Sequence, residues 1–152
     1  PVIQQPKKNR RTQVSYKVSA SITLRNRTEL VWFDKNGNNA EQGFLSYFDF
    51  LYKPVLSRLA GSIRLQYFET EGYNSRLYGY ENDVLYSYSI PVFYDKGYRY
   101  YLNMNYDINR KLTVWARLAQ TRYLDKSVIG SGLDEIKGST KSEIKLQAIY
   151  RF

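Results

Sequence analysis

Catalysis by proton transfer or nucleophilic attack needs suitable side chains, and this chain carries few. Its 152 residues include no histidine and no cysteine. That removes the commonest general base and metal ligand, every disulfide and every thiol site. Close carboxylate pairs remain, Glu81 with Asp83 and Asp134 with Glu135. In a strand or turn such acids are expected to be solvated. Asp34, Asn36 and Asn38 have the spacing that opens a calcium loop, but Gly37 sits at the fourth position and position twelve has no glutamate. Gly130-Ser131-Gly132 lacks the further glycine and the strand–helix setting of a phosphate loop. We therefore expect no enzyme, no cofactor and no metal.

Cations are the chemistry that is left, with 23 Lys and Arg against 14 Asp and Glu. Lys7, Lys8, Arg10 and Arg11 cluster near the start of the chain. They fit an anionic-lipid or nucleic-acid patch, or more simply a solvated tail or rim over residues 1–10. Lys17, Arg25, Arg27, Glu29, Arg64, Arg99, Arg117, Lys145 and Arg151 share a different property. Each falls on the polar side of a stretch that alternates polar and apolar residues. Period-two alternation predicts strands with one apolar face.

Those strands must position the cations. The alternation predicts them over 11–19, 22–33, 43–52, 59–68, 98–108, 112–124 and 142–152. Arg76 to Pro91 reads either as two short strands joined at Glu81-Asn82-Asp83 or as one long strand. Asp34–Gln42, Glu69–Ser75 and Asp125–Lys141 are turn-rich connectors. No stretch has a sustained helical period or a capped start, and none approaches the ~20 apolar residues of a membrane helix. A membrane strand needs only about 9–11 residues, so the mean hydropathy of -0.56 does not exclude a bilayer.

Short and long connectors largely alternate, with Tyr94–Gly97 short for its side. Aromatics gather near strand ends at Trp32, Phe33, Tyr67, Phe68, Phe93, Tyr94, Tyr98, Tyr123, Tyr150 and Phe152. Both are habits of outer-membrane barrels. The last strand, Ser142 to Phe152, closes with Tyr150-Arg151-Phe152. This resembles the closing strand of bacterial outer-membrane β-barrels, which ends aromatic-x-Phe. The stretches Y-E-N-D-V-L-Y-S-Y-S-I-P, G-S-G-L-D-E-I and S-E-I-K-L-Q-A-I-Y-R-F resemble the C-terminal barrel region of Bacteroidota outer-membrane proteins.

The resemblance implies an all-β fold: an antiparallel up-and-down transmembrane β-barrel of about 8–9 strands, occupying residues 11–152. It implies an outer-membrane location, with lipid and the barrel assembly machinery as partners. Tyr150 and Phe152 would be the assembly signal, and the nine polar-side residues would face the lumen. Without histidine, the Ser-His and Asp-His chemistry of barrel phospholipases and proteases is ruled out.

Parity adds an expectation. A nine-strand count leaves the first strand descending, whereas a bacterial single-chain barrel has an even number. Further strands or other chains would then complete the wall; an eight-strand count would let it close alone. The chain opens without Met or a secretory signal, so either a leader has been removed or it is a fragment of a longer chain. Three functions follow: a scaffold or wall of a channel or translocation complex, a passive anion-leaning pore, or a soluble basic barrel binding nucleic acid. The first is expected, with no nucleic-acid partner.

Overall fold

The computed structural model describes residues 6–152. Alternating β-branched, aromatic and polar residues form seven long strands: β1 (Lys7–Lys17), β2 (Ile22–Phe33), β3 (Glu41–Tyr52), β4 (Leu59–Thr70), β7 (Lys96–Asp107), β8 (Leu112–Tyr123) and β11 (Thr140–Tyr150). They pair antiparallel in chain order as one sheet. Two small ribbons lie outside it: β5 (Leu77–Tyr78) with β6 (Val92–Phe93), and β9 (Val128–Ile129) with β10 (Ile136–Lys137). A single 3-10 turn spans Gly132–Asp134.

The expected all-β antiparallel meander is present; the expected strand count is not. Arg76–Pro91 holds neither one spanning strand nor two. It belongs to a connector, 71–95, that leaves the sheet plane and folds back over the polar face. Its strand-like alternation, Val84, Tyr86, Tyr88 and Ile90, reflects a loop with exposed aromatics at the tip. The boundary expected near residue 11 also moves. β1 begins at Lys7, because β2 is long enough to pair with it as far as Phe33. Of the segment read as a tail or rim, residues 1–5 lie outside the described region.

With 71–95 recognised as one connector, the alternation of short and long links is complete. The short links, 18–21, 53–58 and 108–111, share one end of the sheet and carry side-chain acceptors for their own backbone amides. Ser19 Oγ accepts from the Ser21 and Ile22 amides at 3.2 and 3.1 Å. Ser57 Oγ accepts from Leu59 at 3.2 Å, and Asn109 Oδ1 from Lys111 and Leu112 at 2.8 and 2.9 Å. Such side-chain acceptors are why Ser and Asn favour tight turns. The long links, 34–40, 71–95 and 124–139, share the other end.

The strands are sheared. The row of opposed residues starting at Gln13 passes through Arg27, Tyr47, Gln66, Arg99 and Thr121 to Lys141. Gln13 lies six residues into β1 and Lys141 one residue into β11, a slide of five residues over six pairs. At about 3.3 Å per residue and 4.8 Å per pair, the strands tilt about 30°. Tilt of this kind is what lets a sheet curl into a barrel. Among the described residues, however, β1 and β11 do not pair, and the barrel is not closed.

Candidate functional site

The polar face is built by register. Arg64 stands directly opposite Asp49 across β3 and β4. Its Nε and Nη2 donate to the two carboxylate oxygens at 2.6 and 2.8 Å. The guanidinium also lies over the Tyr47 ring, 3.6 Å from its centroid. Arg11 and Glu29 are likewise opposed across β1 and β2, and Glu29 also receives a bond from Arg27. Such pairs need only the correct strand register.

The centre of the face needs more. Register sets Lys145 opposite Arg117, and like charges so placed repel. Arg99 lies one strand further along. The 71–95 connector resolves this by delivering two carboxylates. Glu81, fully buried, receives a two-pronged bond from Arg99 at 2.7 and 2.9 Å and a second contact from Arg117. Asp83 pairs with Lys145 and lies 3.8 Å from Arg117 Nε. Burial alone would push the Asp83 carboxyl up, but the bond from Lys145, the Val84 amide and Arg117 hold it below its ordinary value. The central cluster thus sets Arg64, Arg99, Arg117 and Lys145 against Asp49, Glu81, Asp83 and Glu143, four charges of each sign.

The connector reaches every strand of the sheet. Lys7 Nζ donates to the Asn74 and Arg76 carbonyls at 3.0 and 2.9 Å. Arg27 donates to the Tyr78 carbonyl, and the Ser75 amide to the Glu41 carboxylate. Asn82 bonds Ser62 at 3.0 Å, Asn103 bonds the Asp83 carbonyl at 2.9 Å, and Gln147 bonds the Leu85 carbonyl at 3.0 Å. A flat seven-strand sheet is about 29 Å wide, too wide for one narrow hairpin to span. The sheet therefore curls around the connector, which fills its polar side as a plug. Where the plug enters, Gly43 allows the close approach: a Cβ there would sit 2.4 Å from the Ser75 carbonyl oxygen. Above the ionic cluster the plug is anchored by an apolar one, Leu77 and Phe93 against Val31, Leu45, Tyr47 and Phe68, flanked by Tyr123. A cleft of about 340 Å³ remains beneath the tip, lined by Ser62, Asn103, Asn105, Trp115 and Tyr86.

All nine residues read as one polar face do share a face by register or alternation. The structure gathers Arg27, Glu29, Arg64, Arg99 and Arg117 into its buried part, with Lys145 beside them. Arg25 only reaches Ser15, at 3.3 Å, and Lys17 and Arg151 stay exposed at the short-link end. Glu81 and Asp83 were expected to be solvated. They are instead its central anions, because their segment folds inward. Asp34 serves its own loop, accepting from the Asn39 amide at 3.2 Å. Of the aromatics assigned to strand ends, Phe68, Phe93 and Tyr123 point inward, since Phe68 has the same parity as Arg64.

The opposite face is the reverse. Its positions read Ile22, Leu24 and Leu30 on β2, Phe44, Phe48 and Phe50 on β3, and Ile63, Leu65 and Tyr67 on β4. They continue as Tyr98, Tyr100 and Met104 on β7, Leu118 on β8, and Ile144 and Leu146 on β11. From Leu59 to Tyr67 this apolar band is eight residue steps, about 26 Å along the strand. Phe44, Tyr67 and Tyr98 form a row of rings at its long-link edge, with centroids 6.2 and 5.2 Å apart. Charges on this face lie toward its long-link end, at Glu69, Lys96 and Arg122, and on the β1 margin at Lys8 and Arg10. Tyr150 and Phe152 sit edge to face, 5.4 Å apart, at the other margin. The accessible surface is 10390 Å², against about 8,000 Å² for a compact soluble chain of 18.0 kDa.

No known family, curated protein or solved structure matches the chain.

Proposed function

We propose that this chain is the wall of a plugged transmembrane β-barrel in a bacterial outer membrane, serving as a scaffold or as part of a channel or translocation complex. One observation carries the reading: the sheet is inside out. Among the described residues, fourteen buried ones are polar or charged and ten are hydrophobic, whereas the exposed face of the sheet is a band of aliphatic and aromatic side chains. Water gives no reason for that arrangement; hydrocarbon outside and protein inside do. Strands of 11 and 12 residues, a tilt near 30° and an apolar band about 23 Å tall along the bilayer normal match the dimensions of such a barrel. The resemblance of Ser142–Phe152 to outer-membrane closing strands supports the same location.

The plug argues against a passive anion-leaning pore, because the central arginines are neutralised within the fold and the polar side is filled. It also leaves little for the nucleic-acid reading, since the buried cations and exposed rings lie on opposite faces.

The test is lipid insertion. The chain, refolded into vesicles doped with brominated lipid, should resist alkaline extraction. Trp32, on the apolar face, should be quenched more strongly than Trp115, on the polar face. A stable monomer in buffer without detergent overturns the proposal. Planar-bilayer recordings should show no sustained current.

A further inference from the structure

The two margins of the sheet point to what completes it. Six successive antiparallel pairings leave β1 and β11 running in the same direction, both toward the short-link end. Each margin presents eleven residues of unpaired backbone. Tyr16 at 67%, Ile144 at 70% and Leu146 at 78% exposed are the least covered hydrophobic side chains of the sheet's apolar face, while Val14 matches Leu65, the most exposed of the interior strands, at 61%. The polar-side charges at the gap are cationic apart from Glu143, which Arg99 and Arg117 already hold. Lys17 and Arg151 flank its short-link end and Lys141 its long-link end, and none has an ion-pair partner among the described residues.

From this juxtaposition we infer that the gap between β1 and β11 is closed by an odd number of added strands, each end strand antiparallel to its neighbour. These strands are apolar toward lipid and bear carboxylates toward Lys17, Lys141 and Arg151. The inference rests on the barrel-wall reading and extends it. Parity carries the direction: only an odd insertion lets both margins pair antiparallel. The cationic margins carry the chemistry, since carboxylates opposite them supply cross-strand pairs of the kind Arg64 and Asp49 already make. A second copy of this chain fits poorly. Joining β1 of one copy to β11 of another makes a parallel seam. Joining like margins turns one copy upside down, with its long links on the wrong side of the bilayer. Strand addition at an open edge is a familiar recognition mode, in which backbone bonds give affinity and side chains give selectivity.

Amide exchange in lipid vesicles tests this, with two synthetic eleven-residue peptides as probes. One alternates valine with glutamate, the other valine with lysine. The glutamate peptide should slow exchange at least tenfold along both β1 and β11, leaving β3 and β7 unchanged. The lysine peptide should need at least tenfold more material for the same effect. A chain carrying Lys17→Glu and Arg151→Glu should reverse that preference. Equal action by both peptides overturns the inference, as does protection of the margins without any peptide. Such protection at all dilutions would mean that the margins pair with each other; protection lost on dilution would mean a second copy. Insertion into vesicles with no peptide effect defeats the inference while leaving the wall reading intact. Failure to insert defeats both.

Discussion

Arg117 and Leu118 are neighbours in β8, yet the arginine side chain has no accessible surface and the leucine is 47% exposed. The same inversion separates Arg64 from Leu65 and Arg99 from Tyr100. Alternation alone places such neighbours on opposite faces. It does not say which face is covered. Here the covering element is polar, so the covered face is polar too. Each buried cation then needs a carboxylate within reach, because an unpaired charge in that setting is costly. On the barrel-wall reading, each outward aliphatic side chain takes its apolar medium from lipid. The two faces therefore respond to opposite perturbations.

The polar face should break most severely at Glu81, the fully buried carboxylate that both Arg99 and Arg117 hold; Glu143, which also reaches both, is partly exposed. Glu81→Gln keeps the shape and removes the charge, leaving Arg99 and Arg117 with only the partly exposed Glu143 and, for Arg117, Asp83 at 3.8 Å. A loss of about 3–5 kcal/mol is expected, read from denaturant unfolding in detergent micelles. Exchange of amides in 76–93 should rise before that of β4 or β7, because the plug loses its central tether first. Replacing Glu81, Arg99 and Arg117 together by Leu, Met and Met should recover most of the loss, since a buried ion cluster gives little net stability over an apolar one. Equal loss in the single and triple variants would assign the effect to packing.

The apolar face should be tested by the opposite substitution. Leu118→Arg places a charge in the middle of the band, where hydrocarbon would make it cost about 2–4 kcal/mol; Arg122, opposite Tyr98 near the long-link end, is a position that already carries one. In water a surface change of this kind is worth within about 0.5 kcal/mol. Refolding into vesicles at graded urea therefore separates the two environments: a large penalty at residue 118 with a small one for Thr140→Arg at the band margin supports lipid. Equal small effects would place that face in water.

These contrasts also mark what was legible in the sequence. The faces of β2, β4, β7, β8 and β11 were readable because period-two alternation survives folding unchanged; so was the sharing of one face by Arg27, Arg64, Arg99, Arg117 and Lys145. The plug was not, because Val84, Tyr86, Tyr88 and Ile90 alternate as a strand would while making no ladder. Charge offered the missing signal: Glu81 and Asp83 lie in a basic chain whose strands carry cations without enough acids opposite them. The girdle assignment failed at Phe68 and Tyr123 because nearness to a strand end says nothing about face. Phe68 has the parity of Arg64, and parity decides.

The smallest expected effect lies at the plug tip, where the buried charges come closest to water. Asp83 is held below its ordinary value despite its burial, through Lys145, the Val84 amide and Arg117. A carboxyl with a lowered folded-state value stabilises the fold above its unfolded value near 4, and that contribution disappears as pH falls through the lower, folded value. Lys145 is 39% exposed, so the pair should contribute under about 1 kcal/mol. Comparing the chain with Asp83→Asn isolates this contribution from that of other acids. Their stabilities should differ at pH 7 and converge below about pH 4. A constant difference across that window would mean that Asp83 acts by shape, and that the plug tip is held by Asn82–Ser62, Asn103 and Gln147 without help from charge.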